Sequence, residues 1–355
     1  MGSESTRSLR PGLVAILLIA VAARIALVKG GTGTHLALAG DGDGTALHHL
    51  RTQLSVGGFL VGLYLWGLGL RHRRAALFAP GAALILLESA WGGLFSGSRF
   101  HLFMPLLSAL ALYSAAIRPV RARTFFALLL LFLLVALPFA TSYRSAYQAQ
   151  RLELERDGLS ASSVVRSLEQ TGDAASPTLG VPELLGERFH GLWSLALVIR
   201  YTPERHDYTW GLLFLALPID VLVPRLLWPD KPSSRQFALS FAADYVSRDR
   251  ADSTSIAPSM FGELWANLHL LGVVLGAWLW GRVLRFAYRD LAVGGRGSMF
   301  RHACYAAALP SLVWALETQL TTSLSGLAKI FIVWTLWAWL LSRGRDRAAG
   351  GAREA

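Results

Sequence analysis

The 355 residues are 53% hydrophobic and 16% charged, with a mean hydropathy of +0.43, whereas a soluble domain carries roughly a quarter charged residues. The formal charge of +11 comes without a basic, aromatic-studded platform, which argues against nucleic acid as a partner. A single cysteine, Cys304, excludes a disulfide framework and a cysteine-ligated metal site; at the start of an apolar block it reads as a packing thiol.

The apolar residues fall in blocks of about 18 to 20, long enough to cross a ~30 Å hydrocarbon core as helices. The first, Pro11 to Val28, follows a short basic N-terminus and lacks a convincing small-residue cleavage site, so it reads as an uncleaved span. Leu54 to Leu70, Ala75 to Leu94, Phe100 to Ile117 and Thr124 to Thr141 follow. A long polar insertion then separates them from Leu264 to Leu284, His302 to Thr318 and Leu327 to Leu341. Within the insertion, Tyr143 to Ser167 has helical spacing, and Thr171 to Gly180 reads as a flexible connector. Two blocks there are ambiguous. His190 to Tyr201 is too short to span and carries Arg200, while Thr209 to Trp228 is interrupted by Pro218, Asp220, Pro224 and Arg225. Such segments re-enter or lie on the surface, since irregular backbone survives at membrane depth only where protein or a water-filled cavity satisfies it.

The expectation is an all-α, polytopic integral membrane protein of about 8–10 transmembrane helices. Five spans make an N-terminal bundle over 1–141, a large external loop region covers 142–263, three spans cover 264–342, and 343–355 is a tail. Charge orients it. The two termini and the connections at Arg71 to Arg74, Arg118 to Arg123 and Arg282 to Arg301 hold 17 of the 34 Lys and Arg but 4 of the 23 acids. That bias assigns both termini to the cytoplasm. Residues 142–263, with 12 basic and 15 acidic residues, fall outside. There is no internal repeat and no Walker-type phosphate loop, so nucleotide coupling has no support and no cofactor is expected.

Chemistry is expected on the external face. Arg99, Arg188, Arg200, Arg205, Arg225, Lys231 and Arg235 recur there, and converging guanidiniums bind phosphate oxygens through paired charge-assisted hydrogen bonds. The competing reading is of solvated charges or headgroup anchors. Pro224, Pro229 and Pro232 stiffen the backbone around Arg225 and Lys231, and Trp228 is a natural interface residue. Glu263 and Asn267, four apart, share a helix face behind a helix start at Ser255 to Ser259 that contains Pro258. A carboxylate partly withdrawn from water suits a general base, and a first-turn acid also complements the helix dipole. His190 is a second acid or base candidate. Gly272 and Gly276 give the same helix a small-residue packing face. Glu88, Glu317 and Lys329 fall inside spans, the last two able to neutralise each other. Asp41 and Asp43, with His48 and His49, lack the full calcium-loop spacing, and no metal site is expected.

The order Arg200-Tyr-Thr-Pro203, Gly211, Pro224-Arg-Leu-Leu-Trp-Pro-Asp-Lys-Pro232, Ser255-Ile-Ala-Pro258, Gly262-Glu263-Leu, Asn267 and Gly272 resembles the oligosaccharide repeat-unit polymerases, the Wzy-type O-antigen polymerases. It runs from about Arg188 to Arg285, with an echo at Gly97-Ser-Arg99; ten residues separate Arg200 from Gly211, as in the Arg-x10-Gly motif of such enzymes. His269 stands where members often have Gly. The resemblance implies a glycosyltransferase-C-like membrane frame in a bacterial inner membrane. It also implies a metal-independent transfer of a growing glycan from undecaprenyl pyrophosphate to the next lipid-linked repeat unit, with a chain-length regulator and a flippase as further partners. Arg200, Arg225 and Lys231 would then clamp pyrophosphate, joined by Arg99 and Arg235, while Glu263 and Asn267 line the acceptor site. An O-antigen ligase, or a lipid-linked glycan transporter, would share this frame.

Overall fold

A computed structural model describes residues 18, 19, 22, 46–94, 99–136, 138, 139, 142, 143, 169, 190–223, 228, 241, 244, 245, 257–294 and 298–351. Nearly all of the first expected span, and Asp41, Asp43, Arg188, Arg225, Lys231 and Arg235, lie outside the described residues, as do almost all of 143–167 and the connector 171–180.

The described residues contain helices and no strand. They are α1 (Ala46–His72), α2 (Ala75–Leu94), α3 (Arg99–Ala116), α4 (Ala122–Leu131, continued as a π-helical turn Phe132–Ala136), α5 (His190–Tyr201), α6 (Leu212–Leu222), α7 (Ser259–Phe286, continued as a π-helix Ala287–Val293), α8 (Met299–Trp314) and α9 (Leu320–Gly351). Each apolar block that lies within the described residues is helical. The chain all-α class therefore holds, because only a helix satisfies every backbone donor and acceptor of an apolar segment internally. By length and composition, one helical run among the described residues, Ser259–Val293, is long and apolar enough to cross a membrane; the apolar stretches of α2, α3, α4, α5 and α9 are shorter.

The main core joins α1, α2, α3, α7, α8 and α9. Leu63 and Leu112 are fully buried, and α8 contributes small residues, Ala303, Ala306 and Ala308, that let its neighbours approach closely. A second, smaller core gathers Val198 of α5, Phe241, Tyr245 and Ala266 of α7, with Tyr201 and Trp265 against it. None of the residues of α4 is buried, and Phe125, Phe126, Leu130 and Leu131 are exposed along it.

Two expectations are corrected here. The block around Pro218 and Asp220 is not broken by them, since α6 runs through both to Leu222 and is capped by Val223, just ahead of Pro224. Glu317 is not inside a span either. Helix α8 ends at Trp314, and Glu317 lies exposed in the turn before α9, where its backbone N–H donates to Trp314 O at 3.0 Å.

Candidate functional site

Helix α7 is two helices. Leu268 (φ −141°, ψ 26°) and His269 (φ 55°, ψ −148°) leave helical geometry and separate a first half, 259–267, from a second, 270–286. In a straight helix residues eight apart stand ~12 Å apart. Here a methyl on Gly272 would fall on the Leu264 carbonyl oxygen, 3.2 Å from its carbon, and one on Gly276 would lie 2.7 Å from Leu264 Cδ1. The second half therefore folds back across the first. The single continuous span expected over 264–284 is corrected accordingly, and the small-residue face of Gly272 and Gly276 packs on the chain's own preceding half-helix.

The first half starts where the sequence places its start, after Pro258. Ser259, at φ 67°, turns its Oγ to accept from the Gly262 N–H at 3.2 Å, which satisfies one of the unpaired donors of the first turn. Gly262 leaves room for Val198, whose Cγ2 would be 3.4 Å from an added methyl, so α5 packs directly on this half-helix.

Glu263 and Asn267 share a face and both are 0% exposed. The Asn267 amide donates to the Glu263 backbone oxygen at 2.8 Å. The Glu263 carboxylate reaches the N-terminus of α9. Thr321 N–H donates to one oxygen at 3.1 Å and Thr321 Oγ1 donates to the other. That N–H is an unpaired first-turn donor, and the positive end of a helix dipole is where a carboxylate is stabilised. Glu263 thus ties α7 to α9 with both carboxylate oxygens engaged. A second acid does similar work: Asp220, buried on α6, accepts from Ser325 Oγ on α9.

On its other side the half-helix is held by the loop between α5 and α6. Thr209 donates through its N–H to Ala266 O at 3.0 Å and through Oγ1 to Asn267 Oδ1 at 2.9 Å. Leu212 N–H then donates to Thr209 O at 3.0 Å, closing a turn whose central residues, Trp210 (φ 48°) and Gly211 (φ 85°), both have positive φ. Two consecutive positive φ values are the signature of a type I′ turn. The turn holds Trp210 73% exposed. Tyr208 contacts Trp210 (ring centroids 5.8 Å) and stands edge-on to His269 (5.7 Å), which in turn lies over Trp265 (4.3 Å).

Cations flank the start of this loop. Arg200, exposed at the last turn of α5, and Arg205 place their guanidiniums 5.5 Å and 4.5 Å from the Tyr201 ring centroid. Thr202 and Tyr245 share a 2.7 Å hydrogen bond beneath them, and His206 reaches Asp244 O at 3.1 Å. Burial, and then the nearby Asp244, push the Tyr245 phenol above its ordinary range despite that bond.

Of the expected site residues, Glu263, Asn267 and Arg200 are thus brought to one region, where α5 packs on α7. His190 opens α5 and Arg99 opens α3. The group of Tyr208, Thr209, Trp210 and Trp265 was missed. Its one signal was the crowding of aromatic residues on both sides of Gly211 and beside Asn267. No group of three or more His, Cys, Asp or Glu among the described residues is arranged to hold a metal ion.

No curated protein and no solved structure matches the chain. Residues 40–288 match the family described as Domain of unknown function (DUF8712), and with that span covering more than half of its length the chain belongs to this family.

Proposed function

We propose that the chain is a multi-pass glycosyltransferase of a bacterial inner membrane that polymerises undecaprenyl-pyrophosphate-linked oligosaccharide units into a surface polysaccharide on the external face. The observation that carries this reading is the half-helix 259–267. It is buried, bears the fully enclosed Glu263 and Asn267, ends in a non-helical break, and leads into an apolar helix whose lipid-compatible residues Leu270, Leu271, Val274, Trp278 and Leu279 are exposed. Discontinuous helices of this kind build substrate sites in membrane proteins. The exposed apolar faces of α4 and α7 support a bilayer as their solvent, since water does not tolerate apolar surface on that scale.

In this reading Arg200, with Arg225, Lys231 and Arg235 of the same insertion, stabilises charge developing on the departing pyrophosphate. An acceptor hydroxyl attacks the anomeric carbon, the pyrophosphate leaves with the bonding pair, and a base takes the hydroxyl proton. Glu263 positions the half-helix, which leaves proton transfer to His190 of the external region or to His269 at the break in α7. Cations and divalent metals answer the same electrostatic problem, so none of the latter is required.

The test is a deletion strain combined with reconstitution. Loss of long surface glycan with retention of single-repeat capping, and elongation by the purified protein in excess EDTA, are the expected results. Absence of all glycan from the final acceptor makes the protein a ligase instead. Accumulation of untransported lipid-linked units makes it a transporter, and unchanged surface glycan refutes the reading.

A further inference from the structure

We propose that Tyr208, Trp210, Trp265 and His269 form a pyranose-binding platform, which seats a sugar ring of the lipid-linked substrate beside the half-helix; this deepens the glycosyltransferase reading and rests on it. Three observations converge. The four rings form a continuous chain of contacts drawn from two separate segments, the α5–α6 loop and the break in α7. Trp210 and His269 both occupy positive-φ backbone, at 48° and 55°, which bulky side chains avoid and glycine adopts freely. Two large rings held at such positions in one cluster indicate that the rings themselves are needed there, since residues in such backbone persist only where the surrounding structure enforces them, and they gather at ligand sites. Finally, Trp210 and His269 are exposed, so the cluster presents aromatic faces outward rather than filling a core.

A pyranose ring suits such a surface. One face carries C–H groups that rest on the electron-rich face of an aromatic ring, while its hydroxyls stay at the rim for polar partners. Arg200 at the end of α5 and Arg205 in the loop that follows gather on Tyr201, and no carboxylate of a described residue pairs with either. Two of the rings, Tyr208 and Trp210, and the two cations lie on the eleven-residue segment Arg200 to Trp210, and that combination points to a glycosyl phosphate as the ligand class.

The test uses the full chain in nanodiscs with two probes: farnesyl diphosphate, and farnesyl diphosphate bearing one N-acetylglucosamine, glucose or galactose. At least one sugar-bearing probe is expected to bind about tenfold more tightly than farnesyl diphosphate, the gain typical of one good aromatic contact. That increment should vanish in Trp210→Ala and in His269→Gly, the second of which relieves the positive-φ backbone at 269, with thermal unfolding of both variants showing that they remain folded. Saturation-transfer NMR with the free methyl glycosides separates the two proposals. If farnesyl diphosphate does not bind yet the glycosides contact the wild type and lose contact in the variants, the polyprenyl reading fails and the platform stands. No increment with any sugar, or one that survives both variants, overturns the platform. So does strong quenching of Trp210 by brominated lipids without a sugar increment, which would make the cluster an interfacial aromatic belt.

Discussion

Substituting alanine for Gly272 tests the fold-back of α7 most directly. The new methyl would fall on the Leu264 carbonyl, 3.2 Å from its carbon, and 3.0 Å from Leu268 Cβ, against a comfortable carbon–carbon separation of ~3.5–4.0 Å. The obstructing atoms at 264 are backbone, so relief requires the two halves to separate, at a cost of about 1–3 kcal/mol. In a straight helix the same change would be favourable, because alanine is the better helix former by ~1 kcal/mol. Gly281, with open space around it, is the control and should be stabilised or unchanged by alanine. The assay is unfolding of the purified protein in nanodiscs, followed by tryptophan fluorescence. At Gly276 the nearest obstruction is the Leu264 side chain, so Gly276→Ala should couple to Leu264→Ala in a double-mutant cycle by at least about 0.5 kcal/mol. Equal tolerance of alanine at 272 and 281, together with no coupling between 264 and 276, would mean that α7 is straight.

Gly211→Ala meets no neighbour within 4 Å yet should lose about 1 kcal/mol, because φ 85° is unfavourable for any residue with a Cβ; unchanged stability would remove the type I′ turn. At 269 the order should be unusual: His269→Gly more stable than His269→Ala by about 1 kcal/mol, since both lose the ring and only alanine keeps the backbone penalty. The reverse order in thermal unfolding would refute the positive φ. Glu263→Gln leaves an amide group facing the Thr321 donors and should cost about 1–3 kcal/mol, with Thr321→Val also destabilising. An unaltered melting point in both would dissolve the anchor. Burial raises the Tyr245 phenol above its ordinary value of about 10, so this group leaves folded stability unchanged below about pH 10 and lowers it on further alkalinisation, when a phenolate must be kept out of water with Thr202 still able to donate to it; Tyr245→Phe should remove both its ultraviolet tyrosinate signal and that part of the pH dependence.

Much of the fold was readable as hydrophobic punctuation. The bounds of α5 coincide with the apolar block His190 to Tyr201, and Pro258 marks the start of α7, because local composition decides where such helices begin. The shared face of Glu263 and Asn267 followed from helical spacing alone. The break at Leu268 and His269 was invisible, since neither residue is a helix breaker and the reversal is fixed by packing of Gly272 and Gly276 on Leu264. What the Glu263 carboxylate meets was equally hidden, as its partner lies 58 residues further along. Thr209 carried no pattern that links it to Asn267, again 58 residues away.

The anchor between Glu263 and Thr321 also sets an order of biosynthesis. At roughly 5–20 residues per second, the ribosome needs about 3–12 s to make the intervening 58 residues. During that interval the nascent half-helix carries a carboxylate whose only designated donors have not yet been made. A chain truncated ahead of Leu320 never gains those donors, and it keeps an uncompensated carboxylate at a position that is 0% exposed in the finished fold.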